Sequence, residues 1–211
     1  MTTPATPPVF PRLILGSTSP YRRDLLQRLG LPFDVASPNV DESALPTEAA
    51  ADLAMRLALA KAQAVAGTCL DDVIVIGSDQ VAELSGQALG KPGTHARAVA
   101  QLTRMRGQAV VFHTAVAVVR PASGFAQTLM SPTQVQMGHY SDDDIDTYLH
   151  LEQPYDCAGS AKAEGLGIVM LDRIDSSDPT ALIGLPLILT TQLLRLAGLD
   201  PLAWRASQQH S

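Results

Sequence analysis

The stretch Arg12-Leu-Ile-Leu-Gly-Ser-Thr-Ser-Pro-Tyr-Arg-Arg-Asp-Leu-Leu-Gln-Arg28 predicts a strand, a loop and a helix in succession. Its apolar run suits a buried strand, and the small residues that follow suit a tight loop. Ser19 is a favourable N-cap, and Pro20 takes the first helical position. Such a helix start presents backbone N–H groups and a positive dipole end, to which Arg22 and Arg23 add full charges. The stretch predicts an anion site, although an ordinary strand-to-helix turn with solvated arginines is the simpler explanation when it is taken alone.

Length and composition indicate a chain that can bury a full core unaided. It has 211 residues, of which 46% are hydrophobic, and a formal net charge of −6. No excess of Lys and Arg exists to displace phosphate counterions along a duplex, so we expect no nucleic-acid polymer as partner. Any phosphate-bearing partner should bind in a local pocket. With only Cys69 and Cys157, the chain favours a reduced, cytoplasmic setting over a disulfide framework.

The chain divides into three segments on composition. Residues 1–11 predict a flexible leader rich in Pro and Thr, because they lack the basic and apolar parts of a signal peptide. Residues 12–199 predict a single α/β domain, and 200–211 a C-terminal tail. The longest apolar stretch, 181–199, contains Pro186 and Arg195. It predicts a buried loop and helix, and therefore no membrane span.

Further predicted strands and helices position charged residues, among them Asp79 and Lys61. The apolar run 73–76 predicts a buried strand that ends before Asp79, which puts a carboxylate at the carboxyl end of a strand, where α/β sheets bind ligands. Thr47 is expected to cap a helix over 48–66 that carries Lys61. Two long strands are predicted over 110–119 and 125–137, and a short one over 168–171.

The charged loops supply the groups that phosphoryl transfer needs. Glu42 and Asp79 offer carboxylate oxygens of the kind that Mg²⁺ prefers, and Arg22, Lys61 and Lys91 are matching cations for phosphate. Asp79 is the natural base for an attacking water. Each residue also has an ordinary interpretation, as a solvated loop acid, a turn former or a helix-surface lysine. The five histidines are scattered and show no metal-ligand spacing.

A set of short segments occurs in a recognisable order along the chain: Leu13-Ile-Leu-Gly-Ser-Thr-Ser-Pro-Tyr-Arg-Arg23, Val40-Asp-Glu42, Arg56 with Ala60-Lys61-Ala62, Ile76-Gly-Ser-Asp-Gln80, Gly90-Lys-Pro92 and Ile183-Gly-Leu-Pro186. Together they resemble the Maf family of nucleoside triphosphate pyrophosphatases from about Leu13 to Leu196. The segment 157–165, with Asp79-Gln80, is closer to the branch that hydrolyses 7-methyl-GTP than to the branch acting on dTTP and UTP.

The resemblance implies a fold, an assembly and residue roles. The fold is an α/β one, an elongated mixed β-sheet flanked by helices, with two lobes and a central cleft, similar also to inosine triphosphatase; the family often forms homodimers. The implied cofactor is a divalent cation, Mg²⁺ or Mn²⁺. The implied roles are proton acceptor for Asp79, metal ligands for Glu42 and Asp79, triphosphate contacts for Ser17, Arg22, Lys61 and Lys91, and choice of base for Tyr21, Gln80 and Glu164.

The resemblance implies cleavage of 7-methyl-GTP to its monophosphate and pyrophosphate, as house-cleaning of the nucleotide pool. Tyr21 departs from the branch, where tryptophan is common, but it keeps an aromatic ring that can stack on a cationic purine. Two alternatives stay open. One is the same chemistry on dTTP, UTP or CTP, and the other is a non-catalytic nucleotide-binding regulator of septum formation.

Overall fold

A computed structural model describes residues 10–209, so all of the predicted leader except its last two residues lies outside the described residues. The strands are β1 (Arg12–Gly16), β2 (Asp34–Ala36), β3 (Val73–Leu84), β4 (Gln87–Leu89), β5 (Ala109–Arg120), β6 (Phe125–Met137) and β7 (Leu171–Ser176). The helices are α1 (Pro20–Gln27), α2 (Ala50–Ala66), α3 (His95–Met105), α4 (Asp142–Glu152), α5 (Leu187–Leu196) and α6 (Pro201–Gln208). Short 3₁₀ turns connect several of these elements.

The strands form one mixed sheet in the order β2-β1-β3-β5-β6-β7, with β4 paired to β3. β1 runs parallel to both β2 and β3, whereas β5, β6 and β7 continue the sheet in antiparallel fashion. The long strands β3, β5 and β6 therefore extend the sheet well beyond β1. This is the elongated mixed sheet that the resemblance implied.

Three apolar clusters divide this sheet into two lobes. In the first lobe, α2 covers one face of β1 and β3, and α1 and α5 cover the other. The second lobe lies at the far end of the long strands, where α3 and α4 bury Phe112 and Tyr148 against β4 and β6. The fold class expected from the sequence is confirmed, and β3 passes from one lobe into the other.

The predicted start of α1 is confirmed, and side chains cap two further helices. Ser19 caps α1 with its side chain, and Pro20 follows it. Thr94 caps α3, and Ser141 forms a capping box at the start of α4. The prediction for Thr47 is wrong: α2 begins at Ala50 without a side-chain cap, and Thr47 has a positive φ of 62° in the preceding turn.

Other element predictions need correction. The residues 168–171 mostly form a 3₁₀ turn, and the strand β7 begins only at Leu171. The predicted C-terminal tail contains α6, in which Asp200 caps the helix and Trp204 packs against the first lobe. No helix within residues 10–209 is both long and apolar enough to cross a lipid bilayer.

Candidate active site

Asp79 lies in the middle of β3, not at its end as the sequence predicted. β5 pairs with one edge of β3 throughout this region, with Asp79 opposite Ala115. The other edge pairs with β1 up to Gly77 and with β4 from Ala82 onward. Residues 78–81 therefore face a gap in the sheet between β1 and β4, and the cleft opens there. The strand continues through Gly77 because β5 supplies its hydrogen-bond partners.

Lys61 joins the two predicted metal ligands. Its Nζ lies 2.7 Å from Asp79 Oδ1 and 2.6 Å from Glu42 Oε1. The side chains of Lys61 and Asp79 are only 5% and 10% exposed, so this is a buried ammonium between two carboxylates. Since both carboxylates reach one ammonium, their oxygens converge on one point of the cleft.

Gly77 determines how closely α2 approaches β3 and therefore where Lys61 sits. A Cβ at this position would lie 2.2 Å from the Ala58 carbonyl oxygen and 2.6 Å from the Ala62 nitrogen. Both are backbone atoms of α2, which cannot move without displacing the helix. A side chain of any size at Gly77 would therefore push Lys61 away from Asp79.

The start of α1 brings a second cation to the cleft. The Arg22 Nε donates to the Gly184 carbonyl oxygen at 2.9 Å, and the buried Ser17 hydroxyl accepts from the Ser19 backbone N–H at 3.1 Å. Burial lowers the pKa of Arg22, while the charges of Asp79 and Glu42 act to raise it. An arginine remains protonated under these conditions. The expectation for Arg23 is wrong, since its guanidinium is exposed and lies 3.7 Å from Asp24.

Glu42 stands on a loop that α2 holds in place. Arg56 forms a bidentate contact with Glu48, at 2.6 and 2.8 Å, and also donates to the Ser43 carbonyl oxygen at 3.0 Å. This Arg56 hydrogen bonding lowers the pKa of Glu48 to about 2. Arg56 and Glu48 thereby hold in place the loop that directly follows Glu42.

The charges around Glu42 favour its ionised form. Burial by itself raises the pKa of Glu42, but a hydrogen bond from Lys61 and the positive charges of Lys61, Lys91 and Arg22 outweigh it. The pKa of this carboxyl therefore lies below its usual value. Lys91 itself is exposed on the loop after β4 and lines the cleft from the second lobe.

Gln80 points away from Asp79, because neighbouring residues of a strand face opposite sides of the sheet. Its Nε2 lies 2.8 Å from Thr114 Oγ1 and 3.0 Å from each of the carbonyl oxygens of Ala181 and Leu182. These contacts use both amide hydrogens. Gln80 thus holds in place the start of the loop in which the carbonyl oxygen of Gly184, two residues after Leu182, accepts from Arg22.

Tyr21 and Glu164 lie at the other end of the cleft. Lys162 Nζ is 5.5 Å from the centroid of the Tyr21 ring and 2.7 Å from Glu152 Oε1. Partial burial raises the pKa of Glu164, and the neighbouring Glu152 and Asp156 add to this effect while Lys162 opposes it. Burial also raises the pKa of Cys157 to about 12, so this thiol is a poor nucleophile.

The structure brings every predicted site residue to one cavity of about 630 Å³. This cavity lies in the gap between β1 and β4 and extends to the segment that follows α4. Its lining includes all nine of them: Ser17, Tyr21, Arg22, Glu42, Lys61, Asp79, Gln80, Lys91 and Glu164. The roles assigned to these residues stay predictions. The cavity offers three cations and two converging carboxylates, an arrangement suited to a polyanion that binds with a divalent cation.

Sequence reasoning missed two features of the site. It gave no role to Arg56, because a contact with Glu48 eight residues away matches no helical spacing. It also found no metal-ligand spacing among the histidines, yet His95 and His150 meet at Asp146, outside the cavity lining. These residues come from two different helices, so no local pattern connects them.

Comparison with known proteins places the chain among relatives of one kind. The family model described as "Maf-like protein" matches residues 12–197. A protein of Albidiferax ferrireducens named 7-methyl-GTP pyrophosphatase is 60% identical over 195 residues, covering 92% of this chain and 98% of its own. One of the same name from Polaromonas sp. is 61% identical over 194 residues, covering 92% of this chain and 88% of its own.

A more distant likeness appears among solved structures. The nucleoside-triphosphatase, or dITP/XTP pyrophosphatase, of Mycobacterium abscessus superimposes with a TM-score of 0.42 at 15% identity. The match covers 90% of this chain and 98% of the other. At that level the likeness adds nothing to the fold described above.

Proposed function

We propose that this chain, which belongs to the Maf-like protein family, hydrolyses 7-methyl-GTP to 7-methyl-GMP and pyrophosphate. The relatives that carry the name of this activity align with nine-tenths of the chain at 60% and 61% identity. The observation that carries the proposal is the buried contact of Lys61 with Asp79 and Glu42 inside the cleft. It joins groups that bind phosphate to groups that bind a cation and accept a proton.

We call Ser17, Arg22, Glu42, Lys61, Asp79 and Lys91 the phosphate end of the cleft. In our proposal Arg22, Lys61 and Lys91 neutralise the triphosphate, which also lies against the N-terminus of α1. Lys61 exchanges its contacts with Asp79 and Glu42 for phosphate oxygens when substrate arrives. These cations stabilise charge that develops on the leaving pyrophosphate.

Asp79 accepts the proton of the attacking water in this mechanism. The water oxygen bonds to the α-phosphorus, the bond from that phosphorus to the oxygen bridging the α- and β-phosphates breaks, and pyrophosphate leaves with the electron pair of that bond. Asp79 is suited to this role because it faces the cleft from the middle of β3, and because the departure of Lys61 to the phosphates leaves its carboxylate free to accept a proton. The two oxygens of a carboxylate can serve different partners, so proton transfer is compatible with metal binding.

The residues present fit a divalent cation. Glu42 and Asp79 are hard oxygen donors that converge on one ammonium, so they can also face one metal ion. When bound there, Mg²⁺ or Mn²⁺ would neutralise part of the triphosphate charge. The lowered pKa of Glu42 keeps this ligand ionised well below neutral pH.

We call Tyr21, Gln80 and Glu164 the base end. A 7-methylated guanine carries positive charge, which Tyr21 can meet with its ring face and Glu164 with a carboxylate. Lys162 already lies over the Tyr21 ring, which weakens the attraction of that ring for a second cation. Because Gln80 donates its amide hydrogens to hydrogen bonds within the protein, we assign base contact chiefly to Tyr21 and Glu164.

The substrate experiment is a panel of nucleotides assayed for pyrophosphate release in excess Mg²⁺. We expect the highest kcat/KM with 7-methyl-GTP, ahead of GTP, dTTP, UTP and CTP. A preference for dTTP or UTP would overturn the choice of substrate but leave the chemistry. Binding without turnover of any nucleotide would favour the non-catalytic regulator. We also propose a homodimer, which sedimentation of the purified protein tests directly, and a cytoplasmic setting, which fractionation of cells tests.

A further inference from the structure

A cluster of metal-binding side chains lies on the second lobe, apart from the cleft. It consists of His95 at the first position of α3 and of Asp146 and His150, one turn apart on α4. One ligand atom from each residue lies within 4.8 Å of the others. Within residues 10–209, it is the one group of three or more His, Cys, Asp or Glu side chains whose ligand atoms lie close enough together to hold a metal ion.

The distances suit a compact coordination shell. His95 Nε2 lies 3.5 Å from Asp146 Oδ1, and His150 Nδ1 lies 3.4 Å from Asp146 Oδ2. His150 Nδ1 also lies 2.8 Å from the Asp146 carbonyl oxygen, and coordination of a metal by this nitrogen would replace that hydrogen bond. Ligands about 2.0–2.1 Å from a tetrahedral zinc ion are roughly 3.3–3.5 Å apart from one another. The side chains are 39%, 64% and 66% exposed, so a metal ion can reach them from solvent.

Tyr155 supplies the partner that a metal-binding histidine usually has. Its hydroxyl lies 3.0 Å from His95 Nδ1 and donates to the Leu149 carbonyl oxygen at 3.3 Å. A phenol has one proton to donate, so His95 Nδ1 must be the donor of the first contact. That leaves the lone pair on Nε2, the atom that faces Asp146. A second hydrogen bond of this kind fixes the ring of a metal ligand.

We propose that His95, Asp146 and His150 bind a transition-metal ion such as Zn²⁺ and thereby join α3 to α4. Two imidazoles and one carboxylate favour Zn²⁺, Ni²⁺, Co²⁺ or Cu²⁺ over Mg²⁺, which prefers oxygen ligands. The site is therefore different in place and in metal from the cation site at Glu42 and Asp79. Water supplies the remaining coordination.

The test measures Zn²⁺ binding by competition with a chromogenic chelator, in excess Mg²⁺ to keep the cleft carboxylates occupied. We expect the wild-type chain to bind one Zn²⁺ and His150→Ala and His95→Ala to bind it at least tenfold more weakly. Tyr155→Phe should weaken binding by about tenfold, because it removes only the positioning contact. The matched control is His139→Ala, an exposed histidine outside the cluster, which should bind like the wild type.

A thermal melt of each variant without metal checks that the exposed substitutions leave the fold intact. Added Zn²⁺ should then raise the melting temperature of the wild type and of His139→Ala but not of His150→Ala. Equal Zn²⁺ affinity in the wild type and His150→Ala would overturn the proposal. Loss of the Zn²⁺ in Asp79→Asn, with retention in His150→Ala, would also overturn it, because the metal would then lie in the cleft.

Discussion

At the phosphate end of the cleft, Lys61 and Asp79 are 5% and 10% exposed and in contact at 2.7 Å, whereas at the base end Glu164 is exposed. The first pair stands on α2 and β3, two of the best-packed elements of the first lobe. Glu164 follows α4 on a segment whose regular structure is a short 3₁₀ turn. The difference teaches that backbone packing fixes the positions of Lys61 and Asp79, while Glu164, which we propose for base choice, stands on a segment with little regular structure.

Substitution of Asp79, the proposed proton acceptor, should lower kcat more than any other change at the phosphate end. In Asp79→Asn we expect kcat for 7-methyl-GTP to fall by about 10²–10⁴-fold, the usual contribution of a general base. Equilibrium binding of the nucleotide should change much less. The control is Asp52→Asn, an exposed carboxylate on α2, which should keep wild-type kcat. Turnover of Asp79→Asn within tenfold of wild type would refute the role of Asp79.

Removal of the shared ammonium should change both rate and pH dependence. In Lys61→Met we expect kcat/KM to fall by about 10–100-fold, since charge-assisted contacts to phosphate are lost. The hydrogen bond and charge of Lys61 lower the pKa of Glu42, so that pKa should rise in the variant. The acidic limb of the kcat/KM profile should therefore move to higher pH.

Lys91→Met is the matched comparison for this pH shift. Lys91 lowers the pKa of Glu42 through its charge alone, whereas Lys61 also donates a hydrogen bond. The acidic limb should move less in Lys91→Met than in Lys61→Met. A limb that stays in place in Lys61→Met would show that Glu42 does not control it.

Gly77→Ala tests whether the close approach of α2 to β3 sets the phosphate end. The added Cβ meets backbone atoms of α2, so we expect a loss of about 1–3 kcal/mol in the free energy of unfolding. Activity should fall at temperatures where the variant is still folded, because Lys61 is displaced. Gly90→Ala, where the Cβ meets open space, is the stability control. Equal stability of the two variants would contradict this account of the packing.

Glu164→Gln should have the smallest effect and act only on selectivity. The substitution removes a carboxylate that opposes the positive charge of the methylated base. We expect the ratio of kcat/KM for 7-methyl-GTP to that for GTP to fall by less than about tenfold, with kcat for GTP nearly unchanged. An equal loss with both nucleotides would mean that Glu164 supports the cleft instead of distinguishing the bases.

Many of the elements that carry the site could be predicted from sequence, because the signals that mark them are local. Ser19 and Pro20 marked the start of α1 correctly, and two long strands were placed close to β5 and β6. The resemblance collected nine residues that the fold brings around one cavity.

The remainder depended on contacts between distant parts of the chain. The apolar run of β3 ends at Ile76, but pairing with β5 carries the strand through Asp79 and on to Leu84. The gap that exposes Asp79 exists only because β1 and β4 share one edge of β3. The meeting of His95 and His150 likewise needs the packing of α3 on α4. Sequence periodicity does not indicate which distant strands pair or which distant helices pack together.

The most direct test of the central claim is product analysis of 7-methyl-GTP incubated with the purified wild-type chain. We predict 7-methyl-GMP and pyrophosphate in equal amounts, with turnover abolished by a chelator and restored by excess Mg²⁺. Formation of 7-methyl-GDP and orthophosphate, or no hydrolysis at saturating Mg²⁺, would contradict the account.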